Sequence, residues 1–253
     1  MRTLILLLII FFQSSLLLSQ NNSGKIIYED KVNIHKGLPP EMESRKDRIP
    51  EFRSSKKYLL FNSSEAMYQN VVDTSSQEKP REFRGERGGR GHGRFGGRNQ
   101  DNMYYTSFED NQSLDKQNFF GKDFLIKGER KPFKWKITAE QKQVGKFLCQ
   151  KAIHQDSTQT IIAWFTPMVP VSTGPGDFSG LPGLILHLDI NDGLRTITAI
   201  DIDLRSIEED EIKKPKGGKK VTREEFEKIR EEKIKEREQE WGSRRGHFMR
   251  MHR

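Results

Sequence analysis

The sequence is poor in cysteine, in long apolar runs and in recognisable catalytic motifs. A single cysteine, Cys149, stands among 253 residues, so no intramolecular disulfide can form and none supports the fold. No Gly-x-Ser-x-Gly elbow and no glycine-rich loop leading into a helix is present. The single cysteine excludes a scaffold held together by disulfides. About 230 residues follow the N-terminal segment, which is enough for one sizeable folded domain.

The one long apolar run lies at the N-terminus. Arg2 precedes a nearly apolar stretch over residues 3–18, and Ser19-Gln20 closes it, which is the three-part pattern of a secretory signal peptide. A membrane-spanning helix is the alternative, but about 20 apolar residues are needed to cross a bilayer and Gln13 interrupts this shorter run. We therefore predict a signal peptide over residues 1–20 and a periplasmic or secreted product that is not an integral membrane protein.

The excess positive charge is confined to two segments. The chain carries a net charge of +8. Six arginines against two glutamates give residues 81–98 a charge of +4, and four arginines without an acid give residues 242–253 another +4. The rest of the chain is close to neutral, so the basic character describes appendages and not the folded part.

Residues 71–102 contain too few apolar side chains to bury, and we predict that this insertion is disordered. It is rich in arginine and glycine, like segments that bind nucleic acids through phosphate contacts and stacking. Outside the cytoplasm the corresponding polyanions are lipopolysaccharide phosphates, acidic polysaccharide or extracellular DNA. The alternative is a solvated, flexible insertion. The candidate anion-binding residues are Arg84, Arg87, Arg90, Arg94 and Arg98.

Strand patterns dominate the remainder. From Gly24, apolar residues alternate with polar ones, and Asp30 is the one break. Asn191-Asp192-Gly193 separates two alternating runs and predicts a hairpin turn with positive φ at Gly193. Further strands are predicted over residues 57–62, 65–70, 103–108, 118–126, 133–137, 146–152, 159–165, 184–190 and 194–204. Residues 21–205 are therefore predicted to be mainly β, with a single antiparallel sheet that is curved or forms a half-barrel.

The C-terminal part differs from this β region. Residues 206–221 are rich in lysine and predict a basic hinge. Thr222 and Glu225 form a capping box, and charges at i,i+4 predict a largely exposed helix over residues 222–241, docked through Phe226 and Ile229. The tail, residues 242–253, is predicted to be disordered.

Candidate chemistry is sparse. Asp177, Ser179 and His187 are the residues on which a hydrolase or protease-associated factor would depend. Cys149 lies in an apolar strand-like run and points away from His154, so an inert buried thiol is predicted. The tail offers imidazole and thioether ligands that suit copper(I), although four arginines repel a cation there. These candidate metal ligands are His247, Met249, Met251 and His252.

Residues 167–186 place glycines and prolines between two apolar runs, which is typical of a chain that leaves a sheet and returns to it. The tight re-entry is predicted at the structural motif Gly180, Leu181, Pro182, Gly183, Leu184 and Ile185. On this hexapeptide the chain resembles the GLPGLI family, exported proteins of Gram-negative bacteria without an established biochemical function. Flanking agreements extend the resemblance from about residue 57 to 235, and lie at residues 59–62, 65–68, 135–137, 149–152, 163–166, 174–175 and 222–226.

These patterns together predict an envelope protein without enzymatic activity. We expect it to bind a partner protein or an apolar, lipid-like ligand on the concave face of the sheet, by analogy at the level of fold alone. A hydrolase or protease-associated factor, and copper handling by the tail, are the alternatives. No cofactor is expected.

Overall fold

A computed structural model describes residues 22–71, 102–208 and 210–250, with side chains undescribed at 41, 238 and 240–250. The predicted signal peptide and the Arg/Gly-rich insertion therefore lie outside the described residues. The chain divides into two compact units, one formed by Met1–Val71 with Pro132–Ile212 and the other by Val72–Lys131 with Lys213–Arg253.

The described residues are mainly β, as the sequence predicts. Short 3-10 helices span His35–Gly37 and Pro40–Arg48. The strands and the α-helix are β1 (Gly24–Asn33), β2 (Phe52–Phe61), β3 (Glu65–Asn70), β4 (Met103–Ser107), β5 (Gln112–Phe119), β6 (Lys122–Glu129), β7 (Lys136–Val144), β8 (Phe147–Gln155), β9 (Thr160–Thr166), β10 (Leu184–Ile190), β11 (Arg195–Asp203), β12 (Lys219–Thr222) and α1 (Arg223–Arg250).

In the first unit the strands follow the order β3, β2, β1, β11, β10, β9, β8, β7, and each of these neighbours pairs antiparallel. The predicted hairpin turn between β10 and β11 is confirmed, because Asn191, Asp192 and Gly193 have φ of 52°, 52° and 75°. The strand predicted over residues 57–62 begins earlier, at Phe52. Its first half is not predicted because it is exposed and carries no apolar alternation.

One face of this sheet forms the core. Side chains that are directly opposite each other on paired strands share a face, which places Ile26, Leu59, Ala163, Leu188 and Ile197 on one side. These five side chains are at most 1% exposed. We call this side the core face and the opposite side the outer face.

The second unit contains β4, β5, β6 and β12. Strand β5 was not predicted, because polar residues occupy most of its positions. The hinge prediction is wrong at residues 219–221, which belong to β12 and pair parallel with β6, so the sheet is not wholly antiparallel. Val221 is the apolar residue that makes this possible, since it is buried against Phe124, Ile126 and Phe226.

The predicted capping box at the start of α1 is confirmed: Glu225 N donates to Thr222 Oγ1 at 3.2 Å, and Thr222 N donates to Glu225 Oε2 at 2.9 Å. The predicted docking is also confirmed, with Phe226 buried and Ile229 packed against the same cluster. The helix end predicted at residue 241 is wrong, because α1 continues to Arg250 through residues that include no proline to stop it. The prediction of a disordered tail is therefore wrong over residues 242–250, which are helical.

Two ion pairs between described side chains of α1 lie at i,i+3 spacing, where the sequence predicted i,i+4 pairs. Arg230 Nη1 lies 3.5 Å from Glu227 Oε2, and Lys233 Nζ lies 2.5 Å from Glu236 Oε2. Of the helices within the described ranges, none combines the length and apolar character that a membrane crossing needs.

Candidate functional site

The segment between β9 and β10 crosses back to the sheet through two close approaches of the backbone. Gly180 has φ of 99°, and a Cβ there would lie 2.8 Å from Pro132 Cβ. A Cβ at Gly183 would collide with the carbonyl oxygen of Thr166. Glycine therefore stands at both positions for backbone reasons, as the sequence predicts for this motif.

An aromatic cluster surrounds Ser179 in this segment. Phe133 stacks on Phe178 with ring centroids 4.9 Å apart, and the Trp135 and His154 rings lie 5.6 and 5.2 Å from Phe133. Trp135 Nε1 donates to the backbone oxygen of Ser179 at 2.8 Å. The Ser179 hydroxyl is buried and has no hydrogen-bond partner within the described residues. Ser179 is therefore enclosed by packing and is not presented to a substrate.

The three residues considered for a hydrolase are not joined by hydrogen bonds. Asp177 is exposed, while His187 Nδ1 lies 2.8 Å from Thr198 Oγ1 on the neighbouring strand. Burial, helped by the charge of Lys142, lowers the pKa of His187 to about 4, so the imidazole is neutral near pH 7. A nucleophile needs a base within hydrogen-bond reach, and neither Asp177 nor His187 bonds to the Ser179 hydroxyl.

The predicted burial of Cys149 is confirmed. Its side chain has no exposure, and burial raises the pKa of the thiol to about 11. His154 faces other acceptors, with Nδ1 lying 2.9 Å from the backbone oxygen of Lys134 and Nε2 lying 3.3 Å from Asp156 Oδ2. Both ring nitrogens of His154 are therefore engaged away from this thiol, and this histidine is not placed as its base.

The outer face carries a row of polar side chains around one indole. Directly opposed residues on six neighbouring strands form this outer row, namely Lys151, Trp164, His187, Thr198, Glu29 and Lys56. Lys142 Nζ lies 4.3 Å from the centroid of the Trp164 ring, a distance typical of a cation–π contact. Desolvation lowers the pKa of Lys142. The middle of the outer row is thus half-buried although it lies on the solvent side of the sheet.

A buried carboxylate on the core face was not recognised as a site in the sequence. Asp30, which breaks the alternation of β1, accepts from Arg195 Nε at 2.8 Å and Nη2 at 2.7 Å, and Lys57 Nζ lies 2.7 Å away. Burial alone would raise the pKa of Asp30, but the hydrogen bonds and charges of Arg195 and Lys57 outweigh it and lower the pKa. The one signal available was an acid at a core-facing strand position, which requires a partner charge.

The structure does not test the candidate metal-ligating and anion-binding residues. The side chains of His247 and Met249 are undescribed, and Met251 and His252 lie beyond the described helix. The described residues contain no group of three or more metal-ligating side chains. The arginines of the insertion, Arg84, Arg87, Arg90, Arg94 and Arg98, fall in the range that the structure does not describe.

Fold and site together define a mainly β protein with an aromatic-lined crossing segment. Residues 153–187, from the end of β8 to the start of β10, match the sequence model of a family described as protein of unknown function, Porph_ging. No curated protein matches the chain in sequence. The resemblance to the GLPGLI family is compatible with the Porph_ging match but is not established by it.

The solved structures similar to this chain include PNGF-II in crystals of space groups P21 and C2. In both, the TM-score is 0.53 and the identity 12%, over 82% of this chain. The chain spans about a third of the length of PNGF-II, 33% in one crystal and 32% in the other. At this identity the likeness concerns the fold alone.

Proposed function

We propose that this protein is exported and binds a partner protein, without catalysis, through the outer row of its first unit. Export rests on the apolar run at residues 3–18, which has the pattern of a signal peptide. The binding role rests on the outer row, and on the lack of any hydrogen-bonded relay among Asp177, Ser179 and His187 in the described residues.

The core face offers little support for an apolar ligand. Side chains lining a ligand cavity keep accessible surface when the ligand is absent, yet Tyr28, Ile161 and Leu188 have no exposure. The Tyr28 hydroxyl also donates to the backbone oxygen of Ile185 at 2.7 Å, so this polar atom is satisfied by the protein itself. The partner-protein form of the hypothesis is therefore the one that we develop.

The observation that carries the proposal is the half-buried centre of the outer row. Interface energy is concentrated in a few residues, and tryptophan is prominent among them. Trp164 stands at the centre, next to His187, which is neutral because its pKa is about 4. Binding a partner over this region therefore dehydrates a neutral imidazole, which costs less than burying an imidazolium.

The proposal can be tested by capture from an envelope extract with immobilised mature chain. Trp164→Ala should lower the yield of a specific partner by about tenfold or more, as expected for a central interface residue. Thr198→Arg, which places a bulky charge in the same row, should act in the same direction. Leu148→Ala is the matched control, because Leu148 is 53% exposed and lies on the other face of β8.

Thermal melts of all three variants separate lost binding from lost fold. Folded Trp164→Ala and Thr198→Arg proteins that capture the same partner as the parent chain would refute the outer row as the binding surface. Hydrolysis by the mature chain that disappears in a Ser179→Ala variant would refute the non-enzymatic reading.

A further inference from the structure

Strand β7 ends the strand order of the first unit, and within the described ranges it pairs on one side only, with β8. In the same part of the chain, no backbone hydrogen bond outside that ladder involves residues 136–146. The side chains of Gln141 and Gln143 are exposed. A strand at the end of a sheet presents backbone N–H and C=O groups with which another strand can pair. Strand β7 is therefore open to pairing on its outer side.

The turn between β7 and β8 decides which residues face this open side. Gly145, with a φ of 57°, is the first residue of a two-residue turn between Val144 and Phe147, as in a type II′ hairpin. The residues that flank such a turn bond to each other, and bonded and non-bonded pairs then alternate along an antiparallel ladder. Gln143 and Gln141 therefore occupy non-bonded positions, and their N–H and C=O groups point away from β8.

A bulge limits the regular part of this strand. Between Ile137 and Gln141, β7 advances by four residues while β8 advances by two. In that interval Gln150 Nε2 donates to the backbone oxygen of Thr138 at 2.9 Å, so a side chain takes the place of a ladder bond. The regular part is residues 141–144, which we call the β7 edge. Its two outward-facing residues each offer one donor and one acceptor, which suits a short added strand.

The hairpin that carries the β7 edge is basic. Residues 132–155 contain five lysines and one acidic residue, Glu140, which gives a net charge of +4. Lys151 already pairs with Glu140, with Nζ 2.9 Å from Oε2. Lys136 and Lys146 are exposed, one on each side of the β7 edge. Lysines on an edge strand oppose pairing with a second copy of the same strand, because like charges repel. A strand that carries carboxylates is attracted instead.

We propose that the β7 edge binds an extended, acidic segment of a partner protein as an added strand. Gln141 and Gln143 supply the backbone hydrogen bonds, which give such strand addition its affinity. Lys136 and Lys146 supply the preference for carboxylates. An acidic polysaccharide would pair with the lysines but has no backbone amides at strand spacing, so the open backbone favours a peptide. The β7 edge is separate from the outer row, whose side chains point out of the plane of the sheet.

The test is fluorescence anisotropy of a labelled peptide that alternates glutamate with valine, titrated with the mature chain. Gln143→Pro removes one outward N–H and leaves the ladder to β8 in place, so the affinity should fall by about tenfold. Gln143→Ala keeps the N–H and is the matched control, with an expected change of less than about twofold. A peptide N-methylated at alternate residues should bind the parent chain about tenfold more weakly, and this measurement does not depend on the folding of a proline variant.

A second comparison tests the charge of the hairpin. Each exposed ion pair contributes about twofold to affinity, so Lys136→Gln with Lys146→Gln should weaken peptide binding by roughly fourfold. Arg53→Gln with Lys56→Gln is the control, because it removes the same charge from exposed positions on the distant strand β2, where solvent screens it. Thermal melts check the fold of each variant.

Three results would overturn the proposal. The first is equal binding of a peptide that alternates lysine with valine. The second is peptide binding that neither Gln143→Pro nor N-methylation weakens. The third is binding of both the acidic peptide and polygalacturonate with no effect of Gln143→Pro, which would assign the lysines to acidic polysaccharides in place of an added strand.

Discussion

The sheet of the first unit and the helix of the second are held in place by different means. In the sheet, eight strands share an antiparallel ladder, and core-face side chains such as Ile26 and Leu188 have no exposure. The helix α1 depends on Phe226, with Ile229 beside it, and on the ion pair between Arg223 and Asp115. Distributed burial tolerates surface variation, whereas a helix docked at one end depends on a few contacts near that end.

The largest expected effect concerns the backbone of the first unit. Gly183→Ala places a Cβ against the carbonyl oxygen of Thr166, so the crossing segment must shift, and we expect the free energy of unfolding to fall by about 4 kcal/mol. Urea denaturation measures this loss. Gly176→Ala is the control, because its φ of 70° is left-handed but nothing lies within 4 Å of the added Cβ; about 1 kcal/mol is expected. Equal losses would mean that φ, not the close approach, governs this segment.

The second prediction concerns the docked end of α1. Phe226→Ala removes the buried ring between Phe119 and Phe124, and deleting a buried phenylalanine side chain costs about 3 kcal/mol. Amide exchange over the first turns of α1 should accelerate accordingly. Ile234→Ala, at an exposed position of the same helix, should leave exchange there unchanged. If both variants behave alike, the helix is not held by its first turn and the contrast between the units fails.

A smaller effect is expected from the buried carboxylate on the core face. Asp30→Asn removes the carboxylate that Arg195 and Lys57 share, and we expect a loss of about 2 kcal/mol, below the usual value for a buried pair. The two cations keep side-chain exposures of 38% and 20%, so solvent offsets part of the cost. Glu29→Gln, which changes the neighbouring carboxylate on the outer face, is the control and should cost less than about 0.5 kcal/mol.

The stability conferred by Asp30 should depend on pH with a definite sign. The pKa of Asp30 is lowered in the folded protein, so its contribution is complete above the unfolded value of about 3.9 and is lost as the pH falls toward the folded value. The difference in unfolding free energy between the parent chain and Asp30→Asn should therefore shrink below about pH 4. A difference that stays constant down to pH 2 would contradict the ion-pair account.

Features that depend on neighbouring residues could be predicted from the sequence, whereas features that depend on distant partners could not. Strands β1 and β10 are visible because their alternation is local, and the turn at Gly193 is visible because three adjacent residues set it. Strand β12 was missed because its four residues depend on a parallel partner, β6, that is distant in the chain. Alternation can be read along a chain, but a distant partner cannot.

The same limit applies to the candidate site. Asp30 was noticed as a break, but its partner Arg195 lies 165 residues away, and only the register of β1 with β11 brings them together. The outer row has the same origin, since the pairing of strands aligns Trp164 with His187. Sequence reasoning found the glycines of the crossing segment because close backbone approach requires that residue type itself.

The smallest predicted effect concerns the hydrogen-bonded cap at the start of α1. Thr222→Ala removes the hydroxyl that accepts from Glu225 N, and loss of such a cap costs about 1 kcal/mol. Thr222→Ser keeps the oxygen and should recover most of that stability, as measured by amide exchange at the start of α1. Because Phe226 is buried four residues beyond Thr222, fraying should stop there and the ring should stay docked. Fraying that spreads past Phe226 in the alanine variant would mean that cap and ring form one cooperative unit, and the helix would then depend on local hydrogen bonding as much as on burial.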